Sequence, residues 1–355
     1  TTSATFTVQD IIAPNIDTAA ANATVQCDGQ GNTEALQAWL SSNGGAAASD
    51  TCSGVTWTNN FDALSDGCGN TGSATVIFTA TDSCGNTSTT SATFTIEDTT
   101  APTIDTAAAN ATVQCDGQGN TEALQAWLSS NGGATASDVC SNVTWTNSFD
   151  ALSDGCGNTG SATVTFTATD DCGNATTTSA TFTIEDTTAP TIDTAAANAT
   201  VQCDGQGNTE ALQAWLSSNG GATASDVCSN VTWTNSFDAL SDGCGNTGSA
   251  TVTFTATDDC GNATTTSATF TIEDTTAPTI DTAAANATVQ CDGQGNTEAL
   301  QAWLSSNGGA TASDVCSNVT WTNSFDALSD GCGNTGSATV TFTATDDCGN
   351  ATTTS

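Results

Sequence analysis

No lysine, arginine, histidine, methionine or tyrosine occurs in the 355 residues. Without histidine, lysine or arginine there can be no Ser-His-Asp triad, no Cys-His pair, no Schiff-base lysine and no P-loop. Nothing basic offsets the 38 Asp and Glu residues, so the formal net charge is -38. Nucleic-acid phosphates and anionic membrane surfaces both require cations on the protein, and neither is an expected partner. No apolar run approaches the ~20 residues of a membrane-spanning helix, and neither an initiator Met nor a signal peptide is present. Proline occurs only four times. Paired carboxylates are the one catalytic device left. The candidates, Asp170 and Asp171, are adjacent in a turn and suggest no pocket, so an enzyme is not expected.

What is present is repetition. Residues 101–188 recur letter for letter at 189–276 and begin again at 277–355, and residues 13–100 are the same 88-residue unit with nine substitutions, such as Ile77 for Thr165. A fixed period of this kind marks an array of stacked or strung units, and 88 residues suffice for a modest core. The expected domains are 13–100, 101–188, 189–276 and 277–355, with 1–12 as the last strand of a preceding repeat and the fourth unit stopping before its own last strand. The chain therefore reads as a window on a longer array. Copies this alike cannot each carry a different pocket; they multiply length or valency.

The 16 cysteines fall four per unit, as at Cys115, Cys140, Cys156 and Cys172. An even, regular count in a small Thr- and Gly-rich domain points to disulfides and an oxidising, extracellular or cell-surface location. Zinc is disfavoured, since there is no His and no CxxC pair. The carboxylates have a bland reading as a solvated acidic surface and a sharper one as clusters neutralised by divalent cations; both can hold.

Within a unit the dominant pattern is period-two alternation. Ala162-Thr-Val164-Thr-Phe166-Thr-Ala168 and Ala180-Thr-Phe182-Thr-Ile184 each fit a half-buried strand with threonines outward, and Ala111–Cys115 and Val143–Trp145 are shorter versions. Turn clusters at residues 154–158 and 171–174 separate them. Residues 120–133 instead place Leu124, Trp127 and Leu128 at helical spacing. That predicts a short helix capped by Asn120 or Thr121 and ended in the left-handed conformation at Asn131-Gly132. Trp127 and Trp145 are in phase with the apolar faces and are expected in the core. Several short strands, regular turns and one small helix predict an all-β tandem array of immunoglobulin-like sandwiches. Pro190, in a very short linker, favours a stiff connection.

The residues TATDDCGNATTTSATFTIEDTTAP carry a resemblance. A strand ending in ATD-x-x-GN and a last strand ending in DTTAP resemble the hyalin-repeat (HYR-like) and bacterial Ig-like modules of giant surface adhesins. The cysteines in ATDDCGN and ASDVCSNVTW are most similar to HYR-like repeats exported by type IX secretion in Bacteroidota. The likeness spans nearly the whole chain. It implies an extender stalk of an extracellular adhesin or filament, used for attachment, gliding or prey capture. It also implies calcium at the module junctions, bound by the acidic pair before TTAP and by loop Asp residues of the next module. The implied sets are Glu97, Asp98, Asp138, Asp170 and Asp171; then Glu185, Asp186, Asp226, Asp258 and Asp259; then Glu273, Asp274, Asp314, Asp346 and Asp347. At the first junction, which reads VQDIIAP, Gln9 and Ser83 replace two carboxylates and leave Asp10, Asp50 and Asp82. Carboxylates converging without a basic residue repel, and a hard cation with six to eight oxygen ligands relieves them.

With the sandwich assumed, Cys140 and Cys172 follow the loop aspartates at one end, while Cys115 and Cys156 lie at the other. Four cysteines allow three connectivities. The expected one is intradomain: Cys27-Cys68, Cys52-Cys84, Cys115-Cys156, Cys140-Cys172, Cys203-Cys244, Cys228-Cys260, Cys291-Cys332 and Cys316-Cys348. Asn110, Asn142 and Asn174 match the N-glycosylation sequon, and Thr106 and Thr187 resemble the Asp-Thr-small O-glycosylation pattern of Bacteroidota. Expected partners are neighbouring repeats, like chains in a fibre bundle, and a surface or glycan target reached through a tip beyond these residues. A competing reading makes each unit a glycan- or ice-binding module through the hydroxyl face of Thr163, Thr165, Thr167, Thr181 and Thr183.

Overall fold

A computed structural model describes all residues, Thr1–Ser355. The first repeat sets the pattern. Its elements are β1 (Asn15–Thr18), β2 (Ala23–Gln26), α1 (Thr33–Ser41), β3 (Ala47–Ser49), β4 (Thr56–Asn59), β5 (Gly72–Thr81) and β6 (Thr87–Glu97). The same series recurs in repeats 2 and 3, and residues 277–355 keep it without the second strand and with hairpin strands of only Phe342–Asp346 and Ala351–Thr354, so the protein is an all-β tandem array with one short helix per unit. The chain divides into two compact units, Thr1–Glu185 and Asp186–Ser355.

In each complete repeat a four-stranded sheet runs in the order β2-β6-β5-β4. The long hairpin is antiparallel, with Gly72 opposite Ile96 and Thr81 opposite Thr87. β4 joins β5 antiparallel, and β2 joins β6 in parallel, with Ala23 opposite Phe94. β1 and β3 form a separate antiparallel pair, with a register shift between Ile16 and Thr18. Alternation dictates the core: Val76, Phe78, Phe94 and Ile96 are all at most 2% exposed, while the intervening Ile77 and Thr95 face outward.

The helix forms where apolar spacing changes from two to three and four. Leu36, Trp39 and Leu40 join the sheet residues in one core. Trp39 packs edge-on against Phe78 with ring centroids 5.2 Å apart and donates its indole N–H to the Ala21 carbonyl at 3.1 Å. The expected cap behaves differently. Asn120 precedes its helix in the left-handed conformation (φ 49°) and makes no side-chain cap bond. Its side chain instead accepts from the Asp116 N–H and donates to the Gln114 carbonyl. The helix ends as expected, with Asn131 at φ 55° and Gly132 at φ 64°. A Cβ on Gly132 would lie 3.1 Å from the Phe166 ring and 3.2 Å from the Ala108 Cβ, so the position needs glycine for space as well as for its dihedral.

Candidate functional site: the junctions between repeats

The chemistry-bearing side chains collect where one repeat meets the next. In the first compact unit that is the boundary between repeats 1 and 2. There β6 ends at Glu97, whose carbonyl accepts the Cys27 N–H at 2.8 Å, and the chain continues through Asp98. Asp98 is 9% exposed. Its Oδ1 accepts from the Gln26 side chain at 3.1 Å and the Thr100 N–H at 3.1 Å. Its Oδ2 is buried and has no hydrogen-bond partner. From repeat 2 the 138–142 loop reaches back. Asp138 Oδ1 accepts the N–H groups of Cys140 and Ser141 at 2.8 and 2.9 Å, the local bonding expected of an Asp turn. The Cys140 carbonyl accepts the Asn70 N–H of repeat 1 at 2.8 Å. The approach is close enough that a Cβ on Gly69 would sit 2.6 Å from that same carbonyl.

The disulfides follow this docking and correct the expected connectivity. Cys27 is bonded to Cys140 and Cys68 to Cys172; in the second compact unit, Cys203 is bonded to Cys316 and Cys244 to Cys348. The bridges therefore join consecutive repeats. The expected pairs Cys27-Cys68, Cys140-Cys172, Cys203-Cys244 and Cys316-Cys348 are not formed. Cys52 and Cys84 are free, as are Cys291 and Cys332, so Cys52-Cys84 and Cys291-Cys332 are absent too. Cys115, Cys156, Cys228 and Cys260 are disulfide-bonded. The physical reason is end-to-end placement. Two cysteines do sit at each end of a repeat, as the sequence implied, but in these four bridges the partner lies across the boundary. The Cα atoms are 6.1 Å apart for Cys27 and Cys140 and 5.1 Å for Cys68 and Cys172, within bridging range.

The acidic residues are only partly gathered. Carboxylate oxygens of Asp98 and Asp138 lie within 4.8 Å of each other and of the Cys140 sulfur, and Asp186 with Asp226 and Asp274 with Asp314 repeat the arrangement. Those sulfurs are oxidised and offer no thiolate. Glu97, Glu185 and Glu273 are exposed and outside these clusters. So are Asp171, Asp259 and Asp347; Asp171 instead accepts the Asn142 N–H. Asp170 is buried but outside the cluster. Its carboxylate accepts from the Cys172 N–H, the Asn174 N–H and the Asn174 side chain, at 2.9, 2.8 and 2.8 Å. Asp258 and Asp346 are held in the same way. At the first junction Asp10, Asp50 and Asp82 do converge despite the changed sequence around them.

The sequence reading took Asn174 only as a sequon and missed its place at the junction. Its amide donates to the Asp98 carbonyl at 3.1 Å as well as to Asp170, tying the hairpin turn of repeat 2 to the preceding linker. Asn262 and Asn350 do the same to Asp186 and Asp274. The GN of the ATD-x-x-GN motif was the available signal. Both amide hydrogens of Asn174 are engaged, so a sugar there would displace one of these bonds. Asn110 is exposed, and its Oδ1 accepts the Thr181 N–H; Asn142, Thr106 and Thr187 are exposed. The outward hydroxyl face is internally paired: Thr163 with Thr181 at 2.9 Å and Thr165 with Ser179 at 3.0 Å. That pairing reduces what the face offers a ligand.

Burial pushes the Asp170 carboxyl up, but the hydrogen bonds from Asn174, Cys172 and Gly173 outweigh it and hold the pKa below the ordinary carboxylate value; Asp258 behaves likewise. Asp116, before the helix, is lowered by the N–H groups of Asn120 and Gln118. A carboxylate whose folded pKa is depressed contributes its stability above the unfolded value of about 3.9, and that contribution is lost as pH falls through the folded value. The chain should therefore melt at a constant temperature from pH 7 to about 5, then lose stability below pH 4. An Asp170→Asn variant should show a shallower acid limb in the same thermal melts. Equal acid limbs would show that this carboxylate does not govern the loss.

No family model matches the sequence, and no curated protein matches it. Among solved structures, the protocadherin gammaB7 EC3-6 cis-dimer structure is 12% identical, with 96% of this chain and 99% of that chain covered and a TM-score of 0.30. The ectodomain of human desmocollin-1 is 10% identical, covering 96% and 78%, with a TM-score of 0.24. Likeness at these identities and scores fixes no ligand and no partner for this chain. No helix is long and apolar enough to cross a membrane.

Proposed function

We propose that the chain is the extender stalk of an extracellular adhesin or cell-surface filament, a load-bearing spacer with no catalytic role. The observation that carries this reading is the bridging of consecutive repeats by two disulfides at one boundary, Cys27-Cys140 and Cys68-Cys172. A ligand-binding module gains nothing from being cross-linked to its neighbour. A spacer under tension gains resistance to unravelling, since tension reaches a repeat only through its junctions. The HYR-like resemblance supports the same use in attachment, gliding or prey capture, with the tip that grips a target lying outside these residues. The units 13–100, 101–188, 189–276 and 277–355 serve as its links.

Pulling the full chain by its ends tests this reading. After reduction, each unfolding 88-residue repeat should add about 300 Å of contour, at 3.3–3.6 Å per residue. In the oxidised chain, residues 28–139 lie behind the Cys27-Cys140 bridge and cannot extend. The ~300 Å steps should then be replaced by shorter ones. Identical step lengths in both states would overturn the load-bearing role.

The junction carboxylates belong to the same proposal as calcium ligands. The donor set fits a hard cation: all-oxygen carboxylates, one buried oxygen on Asp98 without a hydrogen-bond partner, and no basic side chain anywhere to neutralise it. Asp98 and Asp138 would hold the ion at the second junction, Asp274 and Asp314 at the fourth, Asp186 and Asp226 at the third, and Asp10, Asp50 and Asp82 at the first. Two carboxylates supply part of the six to eight oxygens such an ion takes, with carbonyls and water completing the set. The calcium would neutralise the convergent charge and fix the linker to the next repeat. Asp170 lies outside the cluster at the second junction, although its counterpart Asp82 is inside the one at the first, and Asn174 ties the loop to the linker.

A further inference from the structure

A junction bridge and the junction carboxylates occupy one spot. At the boundary of repeats 1 and 2, carboxylate oxygens of Asp98 and Asp138 and the Cys140 sulfur all lie within 4.8 Å of one another. Cys27 is bonded to that sulfur, so a fourth donor is held beside the other three. In the second compact unit, Asp274, Asp314 and Cys316 repeat the cluster, with Cys203 bonded to Cys316. There all four line a single cavity of about 200 Å³. Asp186, Asp226 and Cys228 present three of the same donors. The four donors come from four separate segments, which is why no CxxC or His spacing announces them.

Two further features separate these spots from a solvated acidic surface. Asp98 and Asp274 are each 9% exposed, and in each the Oδ2 has no hydrogen-bond partner. A buried carboxylate oxygen without a donor is costly unless a cation reaches it, and the chain has no basic side chain to do so. The sulfurs are prepared as well. The Gly29 N–H donates to the Cys27 Sγ at 3.4 Å, and the Gly205 N–H to the Cys203 Sγ at 3.4 Å. Such a bond is worth about twice as much to a thiolate as to a neutral sulfur.

The second bridge at the same boundary offers the contrast. Cys68 and Cys172 are half-buried, and neither belongs to an acidic cluster. Cys27 and Cys140 are 7% and 3% exposed, so water competes little for whatever their sulfurs hold.

We propose that the thiol form of the junction is a zinc site, in which Cys27, Cys140, Asp98 and Asp138 take one ion in tetrahedral geometry, with Cys203, Cys316, Asp274 and Asp314 as its copy. Zinc binds thiolate at about 2.3 Å and carboxylate at about 2.0–2.2 Å, so its donors stand roughly 3.3–3.8 Å apart. Donors already within 4.8 Å reach that spacing by small side-chain turns. Thiolates select a borderline-soft ion, whereas calcium takes oxygen alone. The site shares its carboxylates with the calcium reading but does not rest on it, since calcium is assigned to the oxidised junction. A phosphine opens the bridge: phosphorus bonds to one sulfur, the S–S electron pair leaves on the other, and water converts the phosphorus to its oxide, giving two thiols. Each thiol then loses its proton to the buffer as zinc binds. The ion sets Cys27 beside Cys140 before their bridge exists, and so selects the pairing across the boundary over pairing with Cys68 in the same repeat. An oxidant of the small-disulfide class, such as oxidised glutathione, then joins the two sulfurs, becomes two reduced glutathiones, and releases the zinc.

The test uses the full chain with Cys52→Ser, Cys84→Ser, Cys291→Ser and Cys332→Ser, which removes the thiols that are free already. The chain is reduced anaerobically with a phosphine, checked by alkylation, freed of reductant and titrated with cobalt(II), a coloured stand-in for zinc. A sulfur-to-cobalt charge-transfer band and strong tetrahedral visible bands should appear, and zinc should bleach both. The oxidised chain should show neither. Cys27→Ser with Cys140→Ser should remove one cobalt per chain, and Cys68→Ser with Cys172→Ser should remove none. Asp98→Asn should weaken that junction's affinity at least about tenfold, the loss that removing even an outer hydrogen-bond partner of a ligand causes. Zinc should raise the melting midpoint of the reduced chain, so a junction loosened by reduction is regained on binding. Cobalt spectra without a thiolate band overturn the proposal. So does a site that survives loss of Cys27 and Cys140, one that needs Cys68 and Cys172, or an affinity indifferent to Asp98→Asn. Calcium binding is read in the oxidised chain, where these sulfurs are no thiols, so either assignment can fail without the other.

Discussion

Removing one bridge, with Cys27→Ser and Cys140→Ser together, is expected to lower the thermal midpoint of the first compact unit by about 10–20 °C. The bridge spans a sequence separation of 113 residues. In the chain-entropy picture a loop of that size contributes on the order of 4–5 kcal/mol by restricting the unfolded chain. A cooperative unit of this size shifts by roughly 2–4 °C per kcal/mol. The double substitution also adds no unpaired thiol to those already present at Cys52, Cys84, Cys291 and Cys332. Differential scanning calorimetry of the oxidised full chain against the variant reads the effect. A second readout separates a junction bridge from an intradomain one. Cutting the 99–100 linker in the variant should leave the fragments held by Cys68-Cys172 alone, and reduction should then part them. If Cys27→Ser with Cys68→Ser, the intradomain pair, proved the milder double substitution, the observed connectivity would be wrong.

Calcium is the second large effect. At a hundredfold excess over its dissociation constant, an ion bound only to the folded chain adds about 2.7 kcal/mol per site. The first compact unit holds two acidic clusters, Asp10 with Asp50 and Asp82, and Asp98 with Asp138. Filling both should raise its midpoint by about 10–20 °C. Asp98→Asn gives the sharper sign. The Asn Oδ1 can still accept from Gln26 and Thr100, so the linker bonds survive. In chelator the variant should be at least as stable as the parent, because it removes a buried carboxylate oxygen without a hydrogen-bond partner. In calcium it should fall below the parent by roughly half the gain. Scans in calcium, sodium and chelator supply the comparison, and a midpoint insensitive to calcium would dismiss the ligand assignment.

Much of this fold was legible in the sequence because alternation is a strong signal when it is long. The hairpin of Gly160–Asp170 and Ala175–Glu185 and the helix Thr121–Ser129 lie where the apolar spacing put them. The pair Thr103–Thr106 with Thr135–Ser137 was not read as a sheet, since strands of three or four residues with one inward side chain carry almost no periodicity. The cysteine connectivity failed for a deeper reason. When copies are identical, Cys27 sees the same residue type 25 positions on and 113 positions on, one full period later; only the facing of repeat ends separates the two. The acidic pairs misled in a similar way. Asp170 and Asp171 look alike in sequence, yet Asn174 holds the first while the second stays exposed. Asp98 is distinguished by what does not reach its Oδ2, which no spacing reveals.

The two bridges at the first boundary span overlapping stretches of backbone, 27–140 and 68–172. A protease that severs the peptide between Thr99 and Thr100 therefore does not separate what lies on either side, because sulfur still spans the cut twice. A strand of such links can be nicked by the enzymes of its surroundings and remain in one piece, and breakage would require proteolysis and reductant together.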